Sequence, residues 1–544
     1  MRQKKKQTRR DRFQDETFRM RLRKSTFIPL YDAILYPGQA LAQAHPDRLA
    51  TLAALHHVYT THPATSRILE LGCGDGTNLI SVAQSLPEAM CVGIDLAGTG
   101  IKKGRAYIQQ LGLRNIHLQQ YDLLKIDRNF GQFDFIIAHG LYSWVPENVR
   151  DKILSICKEN LVEKGVAYVS YNTYPGAYLR NMVRDMMRYH VGEMETAQQK
   201  IEQARAIVEF IAESARDESE VYRSLLQKER DRIRNFLDSS LFHDDLAECN
   251  APIYFYQFIE HAECHGLQYL CEAHFFETQA GIFPANVVDV LNQISDSRIA
   301  KEQYLDFLKG RRFRQTLLCH VDNRFEPIPR SDHIVNFYVG APIYPDALTC
   351  DASSQEMVTF IGPKQSAIKT DNPLIKNALL HLGNIWPKTI HFSDLLSYAR
   401  TACDDQQNEK ESLNVLADML LRAYAGAVVE FHVLPACYVV QPSEKPVASP
   451  LARLQCTEGV KVTNLRHCTI KIEDPISHAL LQLLDGSRDR IRLIDELSQW
   501  IGAQEISLSQ NGIELTSTEQ IHVAVAERLE NDLLELGHLA LLSA

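Results

Sequence analysis

The chain has 544 residues, of which 45% are hydrophobic and 23% charged, and this is more apolar material than one hydrophobic core can use. The formal net charge of -10 disfavours a chain built to neutralise nucleic-acid phosphates. No apolar signal core follows the first residues, and no stretch has the length of apolar sequence that spans a bilayer. We therefore expect several domains, a cytoplasmic location and no membrane insertion.

The first 30 residues are predicted to form a basic arm. Residues 1–24 contain eleven Lys and Arg against three acids. A run of like charges of this kind is typical of a solvated or helical tail, which we favour over a dedicated contact with a polyanion or a membrane.

Residues 66–171 alternate short apolar runs with segments of helical period, a pattern typical of parallel βαβ units. The predicted strands lie at residues 67–71, 90–94, 116–118, 133–138 and 166–170. The intervening segments carry one apolar face, as at Leu79, Ile101 and Ile153. This pattern predicts a doubly wound, Rossmann-like α/β domain, which we place at residues 31–190.

A glycine-rich motif, Glu70-Leu71-Gly72-Cys73-Gly74-Asp75-Gly76, follows the first predicted strand and precedes a helix. Glycines at such a place allow a sharp turn and bring backbone N–H groups to a ligand at the helix N-terminus. In a dinucleotide fingerprint the third glycine comes three residues after the second, but that position holds Thr77. The spacing therefore favours S-adenosyl-L-methionine over NAD as the cofactor, with S-adenosyl-L-homocysteine as its product.

Acidic residues end the next two predicted strands. Asp95 is placed to accept hydrogen bonds from both ribose hydroxyls, and Asp122 from the adenine amino group. The predicted cofactor-binding residues are Glu70, Gly72, Gly74, Gly76, Asn78, Asp95, Leu96, Asp122, Leu123 and His139.

Aromatic residues follow the fourth and fifth predicted strands, where the reacting methyl group is expected in an open α/β sheet. Their faces attract a developing methylammonium, and their hydroxyls can orient an amine. We predict catalytic roles for Tyr142, Trp144, Tyr171 and Tyr174, and substrate binding by Tyr36, Trp144 and Asn172. Core packing is the alternative for these rings, and for Tyr171 the two interpretations are equally favoured. For His139 we favour a role in lining the cofactor over one as a base.

The rest of the chain is predicted to form four units. Residues 191–240 form a helical connector that could hold a second subunit, residues 241–335 form a different domain, and two winged-helix-like α+β modules occupy residues 336–441 and 442–544. Residues 441–544 contain nine Lys and Arg against fifteen Asp and Glu, so phosphate binding there would work against repulsion. We therefore expect protein contacts and no nucleic-acid partner. Because the recognisable cofactor motifs end by Asp122, we expect the C-terminal half to handle substrate.

Five potential zinc ligands lie close together in the sequence, namely His261, Cys264, His265, Cys271 and His274. Their spacing is not that of a recognised zinc knuckle. We expect these side chains to serve as packing and caps, and we predict no metal site.

Several segments together resemble the class I methyltransferases that carry a methyltransferase regulatory domain, a bacterial family that includes rickettsia-type outer-membrane-protein lysine methyltransferases. The matching segments include Tyr36-Pro37, the glycine motif, Ser143-Trp144-Val145-Pro146, Tyr171-Asn172-Thr173-Tyr174-Pro175-Gly176, Asp244-Asp245-Leu246-Ala247-Glu248 and Leu484-Asp485-Gly486-Ser487-Arg488. The resemblance implies a methyltransferase domain, a helical regulatory region at residues 241–335 and the two C-terminal modules.

Taken with the resemblance, the motifs predict an S-adenosylmethionine-dependent methyltransferase that acts on lysine side chains of a protein. Two alternatives stay open. The substrate could be a small molecule or a nucleic acid, or the chain could bind the cofactor as a regulator without turnover.

Overall fold

The computed structural model describes residue 34 and residues 36–214, 220–347, 350–406, 408–504, 508–510, 513–515 and 517–544. The predicted basic arm at residues 1–30 lies outside the described residues.

A seven-stranded sheet forms the centre of the N-terminal half, with the strand order β3-β2-β1-β4-β5-β7-β6. The first five strands are parallel and match the predicted runs: β1 (Arg67–Leu71), β2 (Met90–Asp95), β3 (Ile116–Gln120), β4 (Phe133–Ala138) and β5 (Leu161–Asn172). The chain order reverses between β1 and β4, which creates the crevice where ligands bind in open α/β sheets.

The sheet is completed by two strands from the range predicted as a separate domain. They are β6 (Leu267–Glu272) and β7 (Phe313–His320), and β7 runs antiparallel to both β5 and β6. The predicted ranges 31–190 and 241–335 thus contribute strands to one sheet. Sequence analysis missed this continuity because about a hundred residues separate β5 from β6.

Arg314 of β7 anchors this edge of the sheet. Its buried guanidinium donates to the carboxylates of Glu272 (2.6 Å), Asp306 (2.8 and 2.9 Å) and Glu302 (3.0 Å). The desolvation cost of burying this guanidinium is offset only because its N–H groups form hydrogen bonds with carboxylates in good geometry.

Helices cover both faces of the sheet. They are α1 (Pro46–Leu55), α2 (Thr77–Ser85) and α3 (Gly98–Leu111) on one face, and α4 (Glu147–Glu159) and α8 (Phe255–Cys264) on the other. Successive residues of a strand point to opposite faces, so Ile68 joins one buried cluster and Leu69 the other. These features confirm the predicted doubly wound α/β fold.

Three long helices follow β5, namely α5 (Ala177–Val191), α6 (Ala197–Ser214) and α7 (Glu220–Asn235). They share an apolar cluster that includes Val183, Ile201 and Ile233. A short turn, Asp238–Ser240, and a π-helical segment, Leu241–Asp245, lead back toward α8. Contact with a second subunit through this region stays a prediction.

Two further helices, α9 (Ala285–Ile294) and α10 (Arg298–Lys309), lie between β6 and β7. Beyond them, the described residues of the range 336–441 form two small antiparallel sheets and three helices. The strands are β8 (Tyr338–Gly340), β9 (Tyr344–Pro345), β10 (Val358–Ile361), β11 (Ala367–Thr370), β12 (Ile390–His391) and β13 (Glu430–His432), and the helices are α11 (Pro373–Ile385), α12 (Phe392–Ala402) and α13 (Glu409–Ala425).

This middle module packs against the same face of the large sheet as α1. Asp47 of α1 pairs with Nδ1 of His432 at 2.7 Å and accepts from the backbone N–H groups of Val433 and Leu434, each at 2.9 Å. The middle module therefore docks through a hydrogen-bonded ion pair in which Asp47 is buried and His432 is half-buried.

Within its described residues, the last module consists of four helices and two hairpins. The elements are α14 (Pro450–Cys456), β14 (Lys461–Thr463), β15 (Thr469–Lys471), α15 (Pro475–Leu483), α16 (Arg490–Ala503), β16 (Leu508–Gln510), β17 (Ile513–Leu515) and α17 (Thr518–His538). It contacts α2, where the amide of Gln84 donates to Ser449 Oγ at 3.0 Å.

Among the described residues, no helix combines the length and the apolar composition needed to cross a lipid bilayer.

Candidate active site

The glycine motif forms a loop between β1 and α2 at the carboxyl edge of the sheet. Gly72, Gly74 and Gly76 all have positive φ, at 72°, 58° and 74°. An added Cβ atom at Gly74 would meet no heavy atom of the protein within 4 Å, so open space lies beside this backbone. The loop thus provides a concave backbone surface at the N-terminus of α2, where an anionic or polar ligand group is favoured.

Asp95 ends β2 directly beside this loop. Its Oδ2 accepts from the N–H of Gly74 and its Oδ1 from the N–H of Ala97, both at 2.8 Å. These contacts orient both carboxylate oxygens, and a carboxylate is an acceptor suited to the hydroxyls of a diol. The following residue, Leu96, is half exposed.

Asp122 and Leu123 occupy the corresponding position after β3. Oδ1 of Asp122 accepts from the N–H of Leu124 at 3.0 Å and so caps a short 3-10 turn, Leu123–Lys125. Both residues are half-buried. The structure therefore places Asp95 and Asp122 at the carboxyl ends of neighbouring strands, as the motif spacing predicts.

Glu70 lies buried beneath the loop. Its Oε1 accepts from the amide of Asn78 at 3.0 Å, whereas its Oε2 has no hydrogen-bond partner among the described residues. Burial raises the pKa of Glu70 to about 8, and the charges of Asp75 and Asp95 add to this effect. An unpaired buried acceptor is costly, so a ligand donor such as an ammonium group would gain from reaching it.

Asn78 is held in place by two other parts of the chain. Its Oδ1 accepts from the N–H of Leu41 at 3.0 Å and from Nε2 of His467 at 2.8 Å. Nδ1 of His467 lies 2.8 Å from the hydroxyl of Ser81, and burial lowers the pKa of His467 well below its usual range. Sequence reasoning missed His467 because 389 residues separate it from Asn78 and no local pattern signals the contact.

The segment before α1 crosses the glycine loop. A Cβ atom at Gly38 would collide with the carboxylate of Asp75, so a larger residue there would force that side chain to shift. Two residues earlier, the exposed ring of Tyr36 lies edge-on to His243 with ring centroids 5.7 Å apart. Burial of its hydroxyl and the charge of Asp244 raise the pKa of Tyr36 to about 12. Tyr36 thus lies against the π-helical segment Leu241–Asp245, and its predicted role in substrate binding stays a prediction.

His139 follows β4 and faces the same edge. Its Nδ1 lies 2.8 Å from the hydroxyl of Tyr168, and burial lowers the pKa of His139 to about 4. Its imidazole is therefore neutral near pH 7 and adds no positive charge near a sulfonium.

Two of the predicted catalytic tyrosines are core residues. Tyr142 is buried, and its hydroxyl lies 2.7 Å from Nδ1 of His261 on α8. Tyr171 is also buried, with its ring stacked on Phe258 at 4.0 Å and its hydroxyl 3.1 Å from Oγ1 of Thr316. Both rings point into the cluster under α8 and away from the glycine loop. The structure thus favours packing roles for Tyr142 and Tyr171 over the predicted catalytic ones, because position after a strand does not fix the direction of a ring.

The other predicted residues remain accessible at the strand ends. Trp144 is half-buried in the short turn after β4. Tyr174 is half-buried beyond β5 and stacks on the exposed ring of Tyr178 with centroids 4.0 Å apart. The amide of Asn172 donates to Oδ1 of Asn250 at 3.1 Å, which ties the end of β5 to the segment before α8.

These features fit an S-adenosyl ligand. Open space borders the backbone at Gly74, oriented carboxylates follow β2 and β3, and Glu70 supplies an unpaired buried acceptor. A ligand with an amino acid end, a diol and an amino-substituted base offers donors for each of these acceptors.

Three family models match the chain. A methyltransferase domain matches residues 68–165, a predicted methyltransferase regulatory domain matches residues 237–320, and a PKMT C-terminal winged helix domain matches residues 444–541. An uncharacterized protein of Rickettsia prowazekii is 33% identical over 499 residues, which cover 90% of this chain and 89% of that protein. The chain belongs to the class I methyltransferases that carry a methyltransferase regulatory domain. Like other class I methyltransferases of this kind, it is dependent on S-adenosylmethionine.

Solved structures resemble this methyltransferase over nearly its whole length. PKMT2 from Rickettsia typhi is 27% identical, with a TM-score of 0.84 over 94% of this chain and 100% of that protein. The structure of PKMT2 in complex with AdoHcy gives a TM-score of 0.83 over the same shares. The strands that complete the sheet, β6 and β7, lie inside the range that matches the regulatory domain model, so in this methyltransferase the regulatory segment is part of the catalytic sheet.

Proposed function

We propose that this methyltransferase transfers methyl groups to lysine side chains of a protein substrate by in-line displacement. The observation that carries the proposal is the similarity to PKMT2 over 94% of the chain, which includes both C-terminal modules. The abbreviation PKMT stands for protein lysine methyltransferase, and this supports lysine as the acceptor. The similarity extends well beyond the part that the cofactor needs, which supports a shared mode of substrate handling.

The chain's own residues provide the cofactor site in this proposal. Asp95 binds the ribose hydroxyls, Asp122 the adenine amino group, and Glu70 the ammonium of the methionine end. The bound cofactor supplies an electrophilic methyl group on a sulfonium. Gly74 holds the loop in the shape that admits the ligand, since its φ of 58° is one that other residues rarely adopt.

The acceptor side consists of Trp144 and Tyr174 after the strand ends and Tyr36 before α1. Aromatic faces attract an ammonium and exclude water from it, which favours approach of the uncharged amine. Asp244, whose burial raises its pKa to about 6, places a carboxyl group beside Tyr36. Arg180 lies 3.9 Å from this carboxyl group and offsets its charge, so in this proposal the aromatic faces provide the preference for a basic side chain over a phosphate backbone.

The amine must lose its proton before it attacks. His139 is neutral near pH 7 and contributes no positive charge that would oppose the ammonium. The rate is therefore expected to fall as the pH drops below the effective pKa of the bound lysine.

Methyl-labelled cofactor added to the purified full chain with a cell lysate tests the proposal. The label is then sorted into protein, nucleic-acid and small-molecule fractions, and we expect it in the protein fraction. The Asp95→Ala variant is expected to transfer much less label. Label only in nucleic acid or in metabolites would favour the alternative substrates. Cofactor binding without label in any fraction would favour a non-catalytic regulator.

A further inference from the structure

A cluster of two histidines and one aspartate lies on the outer surface between α4 and α8. Asp151 comes from α4, and His261 and His265 come from the C-terminal end of α8, four residues apart and therefore on one helix face. Oδ1 of Asp151 lies 2.8 Å from Nε2 of His265 and 3.4 Å from Nε2 of His261. One ligand atom from each of the three side chains lies within 4.8 Å of the other two.

We propose that Asp151, His261 and His265 bind a divalent transition-metal ion of the zinc type, with water completing the coordination. Two imidazoles and a carboxylate form a donor set suited to Zn²⁺. Ligand atoms around a tetrahedral ion at about 2.1 Å stand about 3.4 Å apart, so small side-chain rotations bring these three into place. The sequence alone favours packing roles for His261 and His265, because Asp151 lies on α4, more than a hundred residues earlier, and nothing in the sequence links it to them.

The hydroxyl of Tyr142 provides a second observation in favour of this site. It lies 2.7 Å from Nδ1 of His261, the ring nitrogen that points away from Asp151. A histidine that binds a metal through one nitrogen usually donates its other N–H to a fixed oxygen acceptor, which sets the tautomer and orients the ring. Tyr142 is buried and fixed by its packing against Phe258, so it supplies that acceptor.

Solvent reaches the cluster from one side. The side chain of Asp151 is 59% exposed, whereas those of His261 and His265 are 26% and 19% exposed. An ion can therefore bind from solution with a water ligand on the open side. The metal would join α4, inside the matched methyltransferase domain, to α8, inside the matched regulatory domain, and so hold the regulatory segment on the sheet.

A second group of three such side chains among the described residues provides the control. It consists of His57, Glu326 and His333, at the end of α1 and in the segment before β8. The variant His333→Gln removes a ligand from that group and leaves the Asp151 cluster intact.

The experiment uses the tag-free full chain, treated with chelator and dialysed. Zinc affinity is measured by competition with a chromophoric chelator, and cobalt is followed by its visible absorption. We expect the wild type and His333→Gln to bind one zinc ion with equal affinity. In Asp151→Asn and His265→Gln the zinc affinity is expected to fall by at least about tenfold or to be lost, and in Tyr142→Phe to fall about tenfold. Far-UV circular dichroism without metal verifies that each variant is folded, and Asp151→Asn alters an exposed side chain only.

Zinc is also expected to raise the melting temperature of the wild type and of His333→Gln, but not that of Asp151→Asn. The proposal would be overturned if the wild type took up no zinc, or if zinc affinity were equal in the wild type, Asp151→Asn and His265→Gln. Loss of the ion in His333→Gln alone would also overturn it.

Discussion

Nε2 of His467 lies 2.8 Å from Oδ1 of Asn78, so the C-terminal winged helix domain contacts the first turn of the helix that follows the glycine loop. Asn78 in turn donates to Glu70 beneath that loop. The module that the sequence assigned to substrate handling therefore also supports the cofactor site. A ligand that moved this module would therefore change the hydrogen bonding of Glu70 through the side chain of Asn78.

Replacing His467 with alanine is expected to weaken S-adenosylhomocysteine binding about fivefold. One neutral hydrogen bond contributes about 1 kcal/mol, and its loss leaves the amide of Asn78 less well oriented toward Glu70. Calorimetric titration of the full chain measures the effect. His522→Ala, which alters an exposed histidine of the same module, is the control and is expected to bind as wild type. Equal affinity in His467→Ala and His522→Ala would show that the contact does not support the site.

Asp95→Ala is expected to weaken S-adenosylhomocysteine binding strongly. Hydrogen bonds to a charged acceptor contribute about 1.5–3 kcal/mol each, less where water substitutes, and the variant also loses the acceptor for the N–H of Gly74. Asp127→Ala is the matched control, since Oδ1 of Asp127 likewise accepts from the N–H two residues later in the chain, but Asp127 precedes β4 at the other edge of the sheet. Unchanged affinity in Asp95→Ala would remove Asp95 from the site.

The local patterns of the sequence predict the cofactor edge well. The strands β1 to β5, the glycine loop and the acidic residues Asp95 and Asp122 are each encoded within a few residues, where periodicity and spacing carry the information. The directions of Tyr142 and Tyr171 are not encoded in this way, because they depend on packing against α8. Strands β6 and β7 and the contact of His467 depend on pairing between distant segments, which a single sequence does not reveal.

The affinity for S-adenosylhomocysteine is expected to rise with pH between 6 and 8. Glu70 has a pKa of about 8 without ligand, raised by burial, so it is mostly protonated below that pH. An ammonium donor binds the ionised carboxylate, and binding therefore releases a proton and strengthens by up to about tenfold per pH unit. Glu70→Gln is expected to remove this slope. A flat profile in the wild type, or the same slope in Glu70→Gln, would contradict the role of Glu70.

Asp47→Asn is expected to destabilise the docking of the middle module by about 1.5–3 kcal/mol at pH 6, because the half-buried imidazolium of His432 loses the nearer of its two carboxylates and keeps only Glu430, at 3.5 Å. Although burial lowers the pKa of His432, the carboxylate of Asp47 and then that of Glu430 raise it to about 9. The stabilisation is therefore fully present below about pH 6.5, the pKa of an unfolded histidine, and is lost as the pH rises through 9.

Unfolding of the full chain in denaturant at pH 6 and above pH 9 measures this difference. Asp332→Asn breaks an exposed pair with Arg330 and is expected to cost about 0–1 kcal/mol. If the difference in free energy of unfolding between wild type and Asp47→Asn did not become smaller above pH 9, the pH dependence could not be assigned to His432.

The identity of the methylated amino acid tests the central claim most directly. Protein labelled by the full chain and methyl-labelled cofactor is hydrolysed to amino acids, and the label is separated by chromatography against methylated lysine, arginine and histidine standards. The account predicts label in methyl-lysine, reduced in Trp144→Ala more by loss of turnover than by loss of cofactor affinity. Label that is stable in protein hydrolysates but lies in another amino acid, with none in methyl-lysine, would contradict it.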